Sequence, residues 1–337
     1  MDYSKYSTNL AILSLLLATV ILLCSRQNLS YKSLIFSSEN SPKDDLQIAL
    51  ERASTPEKTL IIVVINEAYV EPIENEYPTM FDIFLEGFWI GDGVRSLVDH
   101  LLVVAMDEKA YNRCEYRRMN CYKLAAAADG EAFAGEKVYM SNEFIEMMWR
   151  RTAFLLDVLG RGYSFIFTDA DVLWLRNPFK KLSSSGSHDL EISVDKFNGD
   201  ESSMANPINT GFYHVWSNDR TVSLFRAWHE GRRNSTGLKE QDVLLKMVRR
   251  GALWKLGVRT RFLDTLYFSG FCRDSKDVES VATVHANCCR TIKAKVLDLK
   301  KVLADWRRFK TEGVVNKTAG FTWTAHGACM RSWKSKG

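Results

Sequence analysis

Residues 165–178 read Phe-Ile-Phe-Thr-Asp-Ala-Asp-Val-Leu-Trp-Leu-Arg-Asn-Pro. The apolar part of this stretch belongs to a run from Tyr163 to Thr168 that predicts a strand covered on both faces. Asp169 and Asp171 follow directly, where the strand would leave its sheet. Because ligands of open α/β sheets bind outside the carboxyl ends of parallel strands, this stretch predicts a binding site as well as a fold class.

The order of the remaining segments supports that fold class. Strand-like runs alternate with amphipathic helices, which predicts an α/β domain with a mostly parallel sheet and helices on both sides. No GxGxxG or Walker-type Gly-rich loop occurs, which weakens a dinucleotide or P-loop interpretation. The other predicted strands are Thr59–Ile65, Leu101–Ala105, Leu190–Val194, Thr210–Trp216 and Val281–His285, and the predicted helices are Ser141–Leu159, Val222–Gly231, Lys239–Arg250 and Ile292–Phe309.

Composition limits the functional classes. The 337 residues are 46% hydrophobic, so the chain is neither disordered nor of low complexity and can bury a substantial core. Lys and Arg number 45 against 41 Asp and Glu, a net charge of +4, and the basic residues form no dense stripe. We therefore expect no nucleic-acid partner.

The paired aspartates predict a cation site. Two carboxylates this close repel each other unless a cation lies between or near them. Mg²⁺ and Mn²⁺ prefer oxygen ligands and typically bridge protein carboxylates to substrate phosphates. The alternative is an acidic turn, in which one Asp caps a helix and the other is solvated, and the pair by itself leaves that alternative open.

The segment Asp169–Pro178 resembles the Asp-x-Asp segment of a plant nucleotide-diphospho-sugar transferase family, which includes Golgi arabinosyl-, xylosyl- and galactosyltransferases acting on cell-wall glycoproteins and pectin. The resemblance runs from about Thr59 to Lys310. It implies a single Rossmann-like domain of the GT-A type and a retaining transferase that uses a UDP-sugar with Mn²⁺ or Mg²⁺. Four other segments are similar to the same family: Met148–Arg151, Asn209–Tyr213, Glu240–Leu244 and His285–Cys289.

The resemblance also implies a set of metal ligands. Asp171 is the first of them, and Asp169 either joins it or hydrogen-bonds the ribose. His285 follows a β-branched run and is the expected third ligand, through a neutral imidazole nitrogen. The alternative for His285 is a packed or solvated residue.

Four further residues are expected to bind the nucleotide sugar. Asn66 follows the first predicted strand, and Gly211 lets the backbone approach a ligand closely. Arg150 or Arg151 is expected to reach the diphosphate as a bidentate cation, and the sequence does not choose between them. The alternative for both arginines is a solvated helix face.

Three residues are the expected catalytic groups. The Asn209 amide can bond sugar hydroxyls, although it can equally be a strand-entry residue. Gln241 and Asp242 open a helix whose N-terminus favours anionic or hydroxylated ligands. Asp242 is the alternative nucleophile for double displacement; otherwise the leaving phosphate helps to deprotonate the acceptor in a front-face reaction. The lysines of the last helix, Lys295 among them, are interpreted as a solvated face with no assigned chemistry, although Lys293 or Lys295 could contact phosphate.

Two other functions compete with this interpretation. A non-catalytic nucleotide-sugar-binding relative would keep most of the same residues. A Mg²⁺-dependent phosphohydrolase also uses a strand-end Asp-x-Asp, but such motifs usually continue with Thr or Val where this chain has Leu173 and usually lie nearer the start of the domain.

The N-terminus predicts a membrane anchor. Leu10 to Cys24 is apolar except for Ser14 and Thr19, and no clear small-residue cleavage site follows it. We expect a cytoplasmic tail (1–8), a transmembrane signal anchor (9–25), a stem (26–56) and a catalytic domain (57–337), with a cleaved signal peptide as the alternative for the apolar segment. The predicted location is the Golgi membrane, single-pass type II, with the catalytic domain in the lumen and a glycan or glycoprotein acceptor.

Sequons and cysteines bear on that orientation. Glycosylation sequons begin at Asn28, Asn234 and Asn316, which supports a lumenal domain. An even number of cysteines lies beyond the apolar segment, which permits disulfides there; buried free thiols are the alternative. These cysteines are Cys114, Cys121, Cys272, Cys288, Cys289 and Cys329.

Overall fold

The computed structural model describes residues 43–74, 77–124, 133–183, 186–312 and 321–334. Residues 48–337 belong to one compact unit. The strands are β1 (Thr59–Ile65), β2 (Leu101–Ala105), β3 (Asn120–Lys123), β4 (Ser164–Thr168), β5 (Val172–Trp174), β6 (Leu190–Val194), β7 (Ile208–Val215), β8 (Thr260–Phe262), β9 (Phe268–Gly270) and β10 (Thr283–His285).

Helices connect most of these strands. They are α1 (Asp45–Ala53), α2 (Glu67–Val70), α3 (Met80–Ile90), α4 (Glu108–Tyr116), α5 (Asn142–Gly160), α6 (Asp219–Glu230), α7 (Glu240–Arg249), α8 (Ala252–Lys255), α9 (Ile292–Glu312) and α10 (Gly327–Ser332); short 3-10 helices cover Arg95–His100, Pro178–Lys180 and Gly231–Asn234.

The main sheet confirms the predicted α/β fold. Its strand order is β3-β2-β1-β4-β7-β6-β8, and β7 runs antiparallel to both neighbours while the other pairings are parallel. Every residue of β2 and β4 is buried, as expected of strands covered on both faces. On one face Phe84 of α3 belongs to the core, and on the other Phe225 of α6 packs against Phe165 and Tyr213.

A second, three-stranded sheet lies beside the first. In it β10 pairs antiparallel with β5 and parallel with β9. The late strand predicted at Val281–His285 is therefore real but shorter, and it does not extend the main sheet. The chain leaves β4, passes through Asp169 and Asp171, and enters β5 at once, so the two acids lie at the junction of both sheets.

The predicted stem contains regular structure. Helix α1 occupies part of the 26–56 segment, and Leu50 and Ala53 are fully buried. This helix forms because Ala49, Leu50 and Ala53 place apolar side chains on one helical face, a pattern that the assignment of the segment to a stem overlooked. The tail, the anchor and the sequons at Asn28 and Asn316 lie outside the described residues. Among the helices that are described, none has the length and apolar character needed to span a bilayer.

The six cysteines beyond the apolar segment form disulfides. Their pairs are Cys114–Cys121, Cys272–Cys288 and Cys289–Cys329. The first pair joins α4 to β3, whereas the other two meet at the adjacent residues Cys288 and Cys289. The disulfide interpretation is thus confirmed over that of free thiols.

The buried carboxylate of Glu191 in β6 is expected to make the stability of the fold depend on pH. Burial by itself raises the pKa of Glu191, but hydrogen bonds from His214 and Ser183 and the charge of Arg261 outweigh it and lower the pKa from 4.5 to about 2. The stabilisation from the charged carboxylate is therefore complete above the ordinary pKa and is lost as the pH falls toward the lowered one, an effect on the order of 3 kcal/mol.

We expect Glu191→Gln to lower the free energy of unfolding at neutral pH, and the difference from wild type to shrink between about pH 6 and about pH 3. Denaturant unfolding across that range measures both. Glu201→Gln is the matched control, because Glu201 is an exposed acid near the same Arg261 and should have little effect at any pH. A difference for Glu191→Gln that stays constant with pH would contradict this account.

Candidate active site

Backbone hydrogen bonds fix the two aspartates and His285 in one place. The Asp169 N–H donates to the Gly211 carbonyl across the β4–β7 pair, at 2.7 Å. Val172 pairs with His285 in the β5–β10 ladder, and the Ala286 N–H donates to the Asp171 carbonyl at 3.0 Å. Strand pairing thus brings together residues that are far apart in the chain.

The side chains of Asp169, Asp171 and His285 form a cluster with the chemistry of a metal site. One ligand atom from each lies within 4.8 Å of the other two, and His285 Nε2 is 3.3 Å from Asp171 Oδ1. Metal–oxygen distances of about 2.1 Å separate adjacent ligands by about 3 Å and opposite ligands by about 4.2 Å, so small side-chain rotations would fit these atoms around one cation. Two carboxylates and an imidazole are a suitable donor set for Mn²⁺.

Lys295 belongs to this cluster, which corrects its interpretation as part of a solvated face. Its Nζ lies 2.7 Å from Asp171 Oδ2, whereas Lys293 pairs with Glu74 at the surface. A signal was present in the sequence: Lys295 is three residues after Ile292 and four before Leu299, and both of these are buried. A lysine on the apolar stripe of a helix is directed toward the interior.

The charges in the cluster support one another. Burial opposes the charge on Asp171, but Lys295 and His285 outweigh it and hold the pKa of this carboxyl well below its usual range. Burial likewise disfavours a charged imidazole, yet Asp171 raises the pKa of His285 above its ordinary value. Burial raises the pKa of Asp169 against the effect of Arg151, and the charge of Asp171 adds to the rise. Asp171 is thus the ionised centre of the cluster.

Arg151 holds the second aspartate through a buried network. Its Nη1 lies 2.8 Å from Asp169 Oδ1, and its Nη2 lies 2.7 Å from Glu240 Oε1. Glu240 also accepts a hydrogen bond from the Thr210 hydroxyl, and its Oε2 is buried with no partner among the described residues. The two arginines therefore differ in position. Arg151 contacts Asp169 of the cluster, whereas the Arg150 guanidinium lies over the Phe133 ring.

Asn209 and Gln241 make hydrogen bonds that orient their neighbours. Asn209 donates from its amide to Asp195 Oδ1 at 2.8 Å and accepts from the Gly211 N–H. Gln241 Oε1 accepts from the Thr210 N–H at 3.1 Å and also lies 3.1 Å from the Thr210 hydroxyl, whose closer acceptor is Glu240. The Gln241 amide nitrogen has no partner among the described residues. Asp195 was not predicted from the sequence, because it lies one residue beyond a strand with no partner acid nearby.

Asn66 joins the end of β1 to a loop. Its amide donates to the carbonyls of Phe133 and Gly135, at 2.7 and 2.9 Å, and the side chain is buried. Asn66 thus fixes the loop beside the cluster.

Gly211 makes room for the cluster. A Cβ atom there would lie 2.3 Å from Cε1 of His285 and 2.7 Å from Oδ2 of Asp169. Both contacts are too short for a carbon atom, so any larger residue would displace one of the two side chains. The sequence predicted close approach at Gly211 but not that side chains of the protein itself make it.

A cavity of about 360 Å³ connects these residues. Tyr69 and Lys295 line it as well, and burial raises the pKa of Tyr69 to about 12, with Lys295 acting against the rise. Arg150 is not among the described residues of its wall. The predicted site residues in the wall are Asn66, Arg151, Asp169, Asp171, Asn209, Gly211, Gln241, Asp242 and His285.

Three known proteins illustrate what this chain is similar to. An uncharacterized protein of Arabidopsis thaliana is 51% identical over 87% of this chain and 85% of its own length. The beta-arabinofuranosyltransferase RAY1 of Arabidopsis thaliana is 23% identical over 67% of this chain and 36% of its own length. The crystal structure of a glycosyltransferase involved in the glycosylation of the major capsid of PBCV-1 is 13% identical, covers 72% of this chain and 98% of that one, and has a TM-score of 0.41.

The family profile for nucleotide-diphospho-sugar transferases matches residues 96–299, which include the aspartate pair, Arg151, Asn209, Gln241 and Lys295. This range is more than half of the chain. It favours a glycosyltransferase over the phosphohydrolase alternative. The chain belongs to the nucleotide-diphospho-sugar transferase family and is a glycosyltransferase.

Proposed function

We propose that the protein transfers a pentose or hexose from a UDP-sugar to a cell-wall glycan or glycoprotein, with retention of configuration and with Mn²⁺ or Mg²⁺ as cofactor. The observation that carries this proposal is the convergence of Asp169, Asp171, His285 and Lys295 in one cavity. Three metal-ligand side chains beside a half-buried ammonium group suit a cation and a diphosphate together.

Asp169, Asp171 and His285 would hold the cation. When bound, it offsets the negative charge that develops on the departing diphosphate. Lys295 keeps Asp171 ionised and lies close enough to add a second positive charge beside the phosphates. Arg151, held between Asp169 and Glu240, is a positioning residue that fixes the Asp169 carboxylate.

Polar groups around the cluster suit the rest of the donor. Asn66 lies at the end of β1 and is proposed to border the nucleoside. The amide nitrogen of Gln241 is proposed to donate to a sugar hydroxyl, and Asn209 donates to Asp195, which lines the same cavity. A pentose donor is consistent with the beta-arabinofuranosyltransferase activity of RAY1, a relative that is 23% identical.

We favour a front-face reaction over double displacement. In it the acceptor hydroxyl oxygen bonds to the anomeric carbon as the bond from that carbon to the phosphate oxygen breaks, and the hydroxyl proton passes to the leaving phosphate. Asp242 lies in the first turn of α7 and lines the cavity, and it is the carboxylate that we assign to a covalent intermediate in the alternative mechanism.

The proposed location is the Golgi lumen, with residues 9–25 as a type II anchor. Disulfides form and persist in the secretory route and are rare in the cytosol, which supports a lumenal domain. The sequon residue Asn234 is exposed at the end of a short 3-10 helix, where a glycan could be attached.

The first prediction from the proposed function concerns the donor and the metal. Residues 45–337 incubated with Mn²⁺ and UDP-arabinofuranose, UDP-arabinopyranose, UDP-xylose or UDP-galactose should release UDP from at least one donor. Asp171→Ala should reduce that release by about a hundred-fold or more, because it removes a metal ligand and leaves Lys295 unpaired.

Asp157→Ala is the control for that experiment, since Asp157 is an exposed acid on α5 outside the cavity wall. UDP release that survives in Asp171→Ala would contradict the metal assignment. Mn²⁺-dependent UDP binding without release from any donor would instead indicate a non-catalytic binding protein.

The second prediction uses the close approach at Gly211. Gly211→Ala should abolish most Mn²⁺-dependent UDP release, because the added methyl group displaces His285 or Asp169. Gly160→Ala is matched in chemistry but has open space around its Cβ, so UDP release and the melting temperature should both stay near wild type. Full UDP release by Gly211→Ala would show that the observed cluster is not the working arrangement.

The third prediction separates the two retaining mechanisms. In a front-face reaction no glycosyl group becomes attached to Asp242. Mass spectrometry of the protein quenched during turnover should therefore detect no glycosylated peptide containing Asp242, including when Gln241→Ala slows the reaction. A covalent glycosyl adduct on Asp242 would establish double displacement.

A further inference from the structure

The C-terminal segment is fastened to one rim of the cavity. The Cys289–Cys329 disulfide joins it to the chain just beyond β10. The Arg290 N–H donates to the Ser332 hydroxyl at 3.1 Å, and the Cys329 N–H donates to Asp298 Oδ2 of α9 at 2.7 Å. Helix α10 is short, and these contacts hold it and the residue that follows it in a defined position.

Trp333 directly follows α10 and is the residue of this segment that lines the cavity. Its indole N–H donates to the Cys288 carbonyl at 2.6 Å, and the Arg290 guanidinium lies 4.2 Å from the ring centre. The residue lines the cavity, yet 48% of its surface remains exposed. A large aromatic ring that is held rigidly and left half exposed beside an active site loses little conformational entropy when it contacts a ligand.

The same side of the cavity carries a carboxylate that suits a neutral ligand. Asp195 Oδ1 accepts from the amides of both Asn209 and Asn287, at 2.8 and 2.9 Å, and Asn287 directly precedes Cys288. An ionised carboxylate accepts hydrogen bonds from hydroxyl groups and repels a diphosphate. Asp195 and Trp333 both line the cavity, and the adjacent residues Asn287 and Cys288 connect them.

A sugar ring fits both features. The C–H groups on the face of a pyranose or furanose are weakly positive and attract the negative face of an indole ring, while the hydroxyls at its edge can donate to a carboxylate. A nucleobase would also stack on Trp333, and the Arg290 guanidinium beside the ring would suit a phosphate. The Asp195 carboxylate favours the uncharged saccharide, and the UDP titration below separates the two ligands.

We propose that Trp333 is a stacking platform for a sugar ring of the acceptor and that Asp195 accepts hydrogen bonds from that acceptor. The C-terminal segment, joined to the active site by Cys289–Cys329, is thus part of the acceptor site. This inference rests on the proposed function, because it requires a carbohydrate acceptor.

The test measures oligosaccharide affinity rather than transfer. Short oligosaccharides of arabinose, xylose and galactose are immobilised, and binding of residues 45–337 is measured in the presence of UDP and Mn²⁺. We expect wild type to bind at least one of them and Trp333→Ala to weaken that binding about ten-fold. Trp333→Phe should retain most of the affinity, and Trp254→Ala, which removes another exposed tryptophan outside the cavity wall, should match wild type.

A parallel titration with UDP alone distinguishes the acceptor from the nucleoside. Trp333→Ala should bind UDP within about two-fold of wild type. The inference is overturned if Trp333→Ala binds the oligosaccharides as well as wild type does, if wild type binds none of them, or if Trp333→Ala weakens UDP binding as strongly as oligosaccharide binding. Failure of the proposed function has a separate signature, namely no UDP release by wild type from any donor.

Discussion

The pairing of β5 with β10 is the constraint on which the site depends. It sets Val172 opposite His285, and this register places the His285 imidazole beside the Asp171 carboxylate that immediately precedes β5. A slip of one residue would direct His285 to the other face of the small sheet. The main sheet fixes Asp169 independently, through its hydrogen bond to Gly211. The cluster exists because two sheets end at the same short turn.

Burying this much charge is tolerable because each charged group has a partner. Lys295 and His285 face Asp171, and Arg151 is shared between Asp169 and Glu240. Removing one member of such a network usually costs more than the network contributes, because a buried charge is left unpaired. Apolar side chains of equal volume often stabilise a fold as well as such a network does. Stability therefore does not explain the charged groups, whereas a function in binding does.

The cavity brings two groups of polar side chains together. Lys295 and Arg151 lie beside the aspartate pair, and Asp195 with its two amide donors is linked through Asn287 to the segment that Cys289–Cys329 secures. A transferase must hold an anionic donor and an acceptor side by side. The disulfides matter here because they fix an irregular segment that has little hydrophobic core of its own.

The sequence alone determined the parts of the protein that depend on local periodicity. The β-branched runs predicted β1, β2 and β6 with their observed bounds, and the position of the aspartate pair after a buried strand predicted the edge at which the site lies. Hydrophobic alternation, helix caps and strand ends are properties of neighbouring residues, so they can be read without the fold.

Only the tertiary structure decided which distant residues complete the site. Asp195 and Trp333 had no assigned role, and Arg150 could not be separated from Arg151. The apolar stripe of α9 directed Lys295 inward, but no pattern in the sequence showed that it would meet Asp171. Their placement depends on the pairing of β10 with β5, on the packing of α9 and on the attachment of the C-terminal segment through Cys329. These contacts join segments that are far apart in the chain. The pattern of neighbouring residues does not show which distant segments pair with the lowest free energy.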